Sequence, residues 1–105
     1  MTDAILVLTT LPTADGAAEV AKAVVDEKLA ACANILPALR SIYRWEGKVQ
    51  DENEVLVLLK TRQAQYERLE ARILELHPYD VPEILAIPIE GGHRTYLDWV
   101  ASETA

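Results

Sequence analysis

Two five-residue aliphatic runs, Ala4-Ile5-Leu6-Val7-Leu8 and Val55-Leu56-Val57-Leu58-Leu59, constrain this chain more than any other feature in it. Each is bounded by polar residues, is too short for an ordinary helix, and is apolar at every position rather than at every second one. A strand of that kind needs cover on both faces, so both runs belong at the centre of a sheet.

Around these runs the hydrophobic period changes. From Thr13-Ala14-Asp15-Gly16 onward, Val20, Ala21, Val24, Val25 and Leu29 form one helical stripe opposite Glu19, Lys22 and Asp26, which predicts a helix from about residue 15 to about residue 30. Tyr66, Leu69, Ile73 and Leu76 predict a second helix between Gln63 and the stop signal His77-Pro78. Cys32 to Pro37 followed by Leu39 to Trp45 reads as a long second strand, with Leu39, Ser41, Tyr43 and Trp45 on one face and Arg40, Ile42 and Arg44 on the other. Pro37 has no amide hydrogen to donate, so it belongs at a bulge or an edge, and this strand should be bent and peripheral.

Glu46-Gly47-Lys48 supplies a tight reversal, and Val49-Gln50 and a polar segment lead back into the second central run. Ile84 to Ile89, with Pro88 near its end and Gly91-Gly92 beyond, predicts a fourth strand; Tyr96, Trp99 and Val100 predict a short terminal helix whose last residues should fray. The order is that of an α+β, ferredoxin-like βαββαβ plait with an added C-terminal helix, one domain over residues 1–105. Right-handed crossovers put the first and third strands side by side and both main helices on one face. The other face is then apolar and uncovered, and self-association is the simplest remedy.

The length suffices for one core without disulfides, and with Phe absent that core must be aliphatic. The net charge of −7 is spread along the chain, and Arg40, Arg44, Lys48, Lys60 and Arg62 are diluted by acidic neighbours, which argues against nucleic acid as a partner. No apolar run is long enough to span a bilayer, so no membrane partner is expected. A single cysteine, Cys32, cannot close an intrachain bridge, and the start Met1-Thr2-Asp3-Ala4 has no basic leader; both point to the reducing cytoplasm.

Three stretches resemble the signature of the CutA family: Leu29-Ala30-Ala31-Cys32-Ala33-Asn34-Ile35-Leu36-Pro37, Ser41-Ile42-Tyr43-Arg44-Trp45-Glu46-Gly47-Lys48-Val49, and His77-Pro78-Tyr79-Asp80-Val81-Pro82-Glu83-Ile84. Leu58-Leu59-Lys60-Thr61 and Tyr96-Leu97-Asp98-Trp99 follow the family's order and spacing as well, so the resemblance covers essentially the whole chain. It implies a homotrimer whose long second and third strands wrap onto neighbouring subunits, an architecture similar to that of the nitrogen-regulatory PII proteins. It also implies a role in divalent-cation tolerance, with copper binding in some members. Thr9 and Leu76 stand where some members carry a second thiol and a second histidine.

Candidate metal ligands are Cys32, His77 and Glu83, for copper or another divalent cation. Cys32 reads first as a packing residue and second as a soft thiolate donor suited to Cu(I) or Zn. His77 reads first as a cap at a helix end, and Glu83 stands either solvated at a strand entry or turned toward a cation such as Lys60. Lys60 and Tyr79 are candidates to line a ligand cleft, and Tyr43 and Trp45, polar-tipped aromatics beside a turn, are candidates for the trimer interface. No catalytic motif is present: no Cys-His arrangement, metalloprotease helix, phosphate-cradling glycine loop or dinucleotide fingerprint, so no enzyme is expected. The reading is a homotrimeric cytoplasmic protein of divalent metal tolerance. A PII-like regulator would instead need Lys60 or arginines around an anion in its intersubunit clefts, and a protein-binding adaptor would keep an exposed apolar patch.

Overall fold

The computed structural model describes residues 2–105. Strand β1 (Ala4–Leu11) leads into helix α1 (Ala14–Asp26), then into a hairpin of two long strands, β2 (Cys32–Trp45) and β3 (Lys48–Arg62). A single 3-10 turn at Gln63–Gln65 opens α2 (Tyr66–Leu76); β4 (Ile84–Pro88) and α3 (Arg94–Ser102) complete the chain. The four strands form one sheet in the order β2-β3-β1-β4, antiparallel at every junction. The two aliphatic runs are therefore neighbours at its centre, with Val7 opposite Leu59 and Leu8 opposite Leu58.

Pleating divides these strands between two faces. Ile5, Val7, Thr9 and Leu11 of β1 and Val55, Val57, Leu59 and Thr61 of β3 are all buried. They join Val20, Val24, Leu69 and Ile73 of α1 and α2 in the core. The opposite face carries rows set by the register: Ile87, Leu6, Lys60 and Cys32; then Leu85, Leu8, Leu58 and Asn34; then Thr10, Leu56 and Leu36. Leu85 is 53% exposed, and Leu36 and Ile87 are also open to solvent, so this second face is apolar without being covered.

Four local outcomes differ from the sequence expectation, each for a physical reason. Helix α1 starts at Ala14, where the Thr13 hydroxyl caps it by accepting from the Gly16 amide at 3.0 Å, and ends at Asp26 rather than near residue 30. Lys28 takes a left-handed conformation (φ 62°), and the Leu29 and Ala30 amides turn back onto the Val24 carbonyl; Leu29 reaches the core from outside the helix. The polar segment before Val55 is strand throughout, because pairing with β2 satisfies its backbone while its side chains up to Asn53 meet solvent on both faces. The C-terminus does not fray: Thr104 is 2% exposed, and the Arg62 guanidinium donates to its hydroxyl at 2.9 Å and to its carbonyl at 2.6 Å.

The long hairpin follows the expectation for β2. Strand β2 lies at the sheet edge, and between Leu36 and Leu39 it carries one residue more than β3, a bulge at Pro37 with Ala38 left-handed (φ 64°). The reversal consists of Glu46 (φ 50°) and Gly47 (φ 79°) between the paired residues Trp45 and Lys48; two positive φ values suit the twist of a two-residue hairpin turn. The hairpin projects beyond the sheet and stretches the molecule to 44 × 25 × 23 Å. Its radius of gyration, 14.2 Å, exceeds the roughly 13 Å of a compact chain of this length.

Candidate functional site

The bent hairpin and the connection from α2 to β4 enclose a cleft of about 630 Å³. Beyond the bulge, Leu39, Ser41, Tyr43 and Trp45 stand on the uncovered side of the sheet together with Glu54 and Glu52. Across from them, Pro78, Tyr79, Asp80, Val81 and Glu83 close the cleft, with Thr10 at its base. Pro78 and Pro82 stiffen this connection, and two further contacts fix it.

The first contact is His77. Its ring is buried, and the Tyr79 amide donates to Nδ1 at 3.2 Å, so Nδ1 is the bare nitrogen. The proton then sits on Nε2, which donates to the Thr10 carbonyl at 2.7 Å. Both nitrogens of the neutral ring are engaged in holding the loop against β1. The second contact is the Tyr79 hydroxyl, which donates to Glu54 Oε2 at 2.8 Å.

Burial, followed by the hydrogen bond and charge of Glu54, pushes the Tyr79 phenol well above the ordinary tyrosine range. Partial burial and the carboxylates of Glu52 and Glu54 raise Tyr43 as well. On α2, burial and then the bond to Glu70 Oε2 at 2.7 Å push Tyr66 up to about 12. In all three the fold favours the neutral phenol. That stabilisation is complete below the unfolded value of about 10 and is lost as pH rises through the folded values. An alkaline titration followed by phenolate absorbance should therefore lag that of the urea-unfolded chain, and Tyr66→Phe should delete a step at about pH 12. Superimposable curves for the folded and unfolded chain would contradict this.

At the far end of the uncovered face lies a smaller polar group. The Lys60 ammonium donates to Asn34 Oδ1 and stands 3.9 Å from Cys32 Sγ, which is itself 3.9 Å from Asn34 Oδ1. Cys32 is half-buried and its thiol is free.

The proposed metal ligands do not meet within one chain. Cys32 is cross-strand to Lys60 and thence to Leu6, whereas His77 holds Thr10, four residues further along β1. Four residues of strand span roughly 13 Å. Glu83 is exposed on the cleft rim, with no ion pair to Lys60 among the described residues. No group of three or more His, Cys, Asp or Glu side chains among the described residues is arranged to hold a metal ion. The cleft candidates separate as well: Tyr79 lines the cleft and Lys60 does not. Glu54 is not among the sequence-based candidates, although its position carries a signal: it shares strand parity with Leu56 and Leu58, an acid beside aliphatic residues of one face.

Residues 5–103 match the CutA1 divalent ion tolerance protein family. The chain belongs to the CutA1 divalent ion tolerance family. It is 50% identical over 99 residues to the divalent-cation tolerance protein CutA of Thermus thermophilus, covering 94% of this chain and 96% of that protein. The Arabidopsis thaliana protein named CutA, chloroplastic, is 46% identical over 95% of this chain, which spans 55% of that longer protein. Among solved structures, the Thermus thermophilus divalent cation tolerance protein superposes with a TM-score of 0.95 at 49% identity, covering 97% of this chain and 99% of that one. CutA1 names indicate a tolerance protein rather than an enzyme, and the four-stranded antiparallel sheet with three helices is the arrangement this chain shares with CutA1 structures.

Proposed function

We propose that this CutA1 chain works as a homotrimer built from ferredoxin-like plaits, that it contributes to divalent metal tolerance by binding copper or a related ion, and that it does so in the cytoplasm. The observation that carries the assembly is the uncovered apolar face of the sheet, continuous with the aromatic side of the projecting hairpin at Tyr43 and Trp45. A monomer would leave that surface in water, and three copies can cover one another. A free, half-buried thiol supports a reducing compartment.

For the metal, Cys32 is the first donor, since it lies on the face to be assembled and a thiolate suits Cu(I). Symmetry can bring together donors that a single chain keeps apart, and Glu83 on an exposed rim remains available to a neighbour. His77 joins only by giving up the Thr10 carbonyl or the Tyr79 amide. A small anion is the weaker reading for the cleft, whose lining includes no lysine or arginine.

The test is a copper competition against a chelator under reducing conditions, comparing Cys32→Ser, His77→Ala and the exposed control His93→Ala. Cys32→Ser should weaken binding by about tenfold or more, the scale on which losing one ligand interaction shifts affinity. Wild-type affinity in Cys32→Ser together with loss in His93→Ala alone would overturn the metal reading.

A further inference from the structure

Helix α3 is held to the molecule in a way that neither α1 nor α2 is. Its one fully buried side chain, Val100, lies outside the core cluster that α1, α2 and the sheet share. The helix packs on β1 and β3 and covers one end of the second face. Ala4 and Arg62 are a cross-strand pair with the parity of Leu6 and Lys60, yet Ala4 is 4% exposed where Leu6 is only half-buried. A helix of nine residues is not stable alone in water, so its anchors decide whether it stays in place. At its N-terminal end they are few. Gly91-Gly92 lead into it, nothing lies near the position that a Gly91 side chain would take, and the His93 side chain makes no capping bond.

The other end is fastened. The Arg62 guanidinium, on β3, donates to the Thr104 hydroxyl at 2.9 Å and to the Thr104 carbonyl at 2.6 Å, and that hydroxyl donates in turn to the Val100 carbonyl at 2.9 Å. The Ala105 amide donates to the Lys28 carbonyl at 3.3 Å, and Gln65 Nε2 donates to the main-chain oxygen of Ala105. The last turn of α3 has no basic residue of its own, so Arg62 supplies the cation that the negative end of a helix favours. We propose that α3 is a latched flap: turning on Gly91-Gly92 and released where Arg62 holds Thr104, it opens and closes as one unit while the sheet, α1 and α2 stay folded, and so uncovers the Ala4 and Arg62 end of the second face. Segments with few buried contacts open locally well before a core does. Helix α1 buries Ala17, Val20, Ala21 and Val24, and α2 buries Leu69 and Ile73, so those helices open only with the core. Every contact of the latch lies within one chain and away from the aromatic side of the hairpin, so it needs no neighbouring copy and no metal.

The experiment is amide hydrogen exchange on the full chain in its native assembly, at several urea concentrations below the unfolding transition. The amides of Val100 and Glu103 in α3 are compared with those of Val57 and Leu59 in β3. The α3 amides should exchange at least tenfold faster and with a much shallower dependence on urea, because the flap exposes little surface when it opens. Arg62→Met should speed exchange in α3 by about tenfold more, the scale of a lost charge-assisted hydrogen bond, and leave Val57 and Leu59 at the wild-type ratio to global unfolding. Thr104→Val, which keeps the shape and removes the hydroxyl, should speed it by severalfold. The wild-type comparison and Thr104→Val decide the matter should Arg62→Met lose the wild-type circular dichroism. Exchange of α3 in step with β3 at every urea concentration, or variants that accelerate both equally, would overturn the proposal. The copper competition reads Cys32 instead, so the two readings fail separately.

Discussion

Leu69→Ala is expected to lower the unfolding free energy by about 3 kcal/mol, the middle of the range for emptying a closed aliphatic site. Leu69 is 0% exposed, and with Ile73 it is one of two fully buried anchors by which α2 holds the sheet. The core it joins contains Val20 and Val24 of α1 and Val57 and Leu59 of a strand paired on both sides, so the space closes poorly by collapse. Urea unfolding at one fixed protein concentration is the measurement, with Leu74→Ala as the control on the outer side of the same helix. Leu74 is 50% exposed and its loss should cost no more than about 0.5 kcal/mol. Equal effects at the two positions would contradict the assignment of the helix faces.

If the proposed trimer forms through the uncovered face, Leu8→Glu should convert it into smaller, folded species. Leu8 sits in the middle row of the uncovered face, between Leu85 and Leu58. In a lone chain that site is half-buried, and a glutamate there can extend its carboxylate to water. Once such faces are packed together the same carboxylate is enclosed without a partner, which costs about 3–5 kcal/mol per copy. Trp45→Glu should act in the same direction from the hairpin. Sedimentation velocity and circular dichroism together decide it: a monomeric wild type, or a variant that remains a trimer, would sink the proposed assembly. Because folding and association are linked, the wild-type midpoint of reversible unfolding should also rise with protein concentration.

Much of this fold is legible in the sequence because its central strands and its two main helices each bury a periodic apolar set. The outer half of β3 is not, since Gln50, Asp51, Glu52 and Asn53 are held in a strand by backbone pairing and the Arg40–Asp51 ion pair and carry no apolar period. The end of α1 escapes for a related reason: Leu29 keeps the helical spacing and is buried, yet a left-handed Lys28 places it there by a turn. The candidate cleft is hardest to read. Tyr79 and Glu54 are 25 positions apart, and only the register of the hairpin and the anchoring of the loop through His77 bring phenol and carboxylate together. Cys32 and His77 illustrate the converse, since nearness of motif in a family signature does not make them neighbours in one chain.

The extra residue at the Pro37 bulge works as a frame shift in the alternation of side chains. Ahead of it the even-numbered residues Cys32, Asn34 and Leu36 share a face with Leu56 and Leu58; beyond it the odd-numbered Leu39, Ser41, Tyr43 and Trp45 continue that face. Without the insertion the outer hairpin would present Arg40, Ile42 and Arg44 there instead. A single residue lost at the bulge would therefore replace Tyr43 and Trp45 on that face by Arg40 and Arg44, while Glu52 and Glu54 of β3 would keep their places. A change that leaves composition almost untouched would turn an aromatic flank of the arm into a cationic one facing those acids.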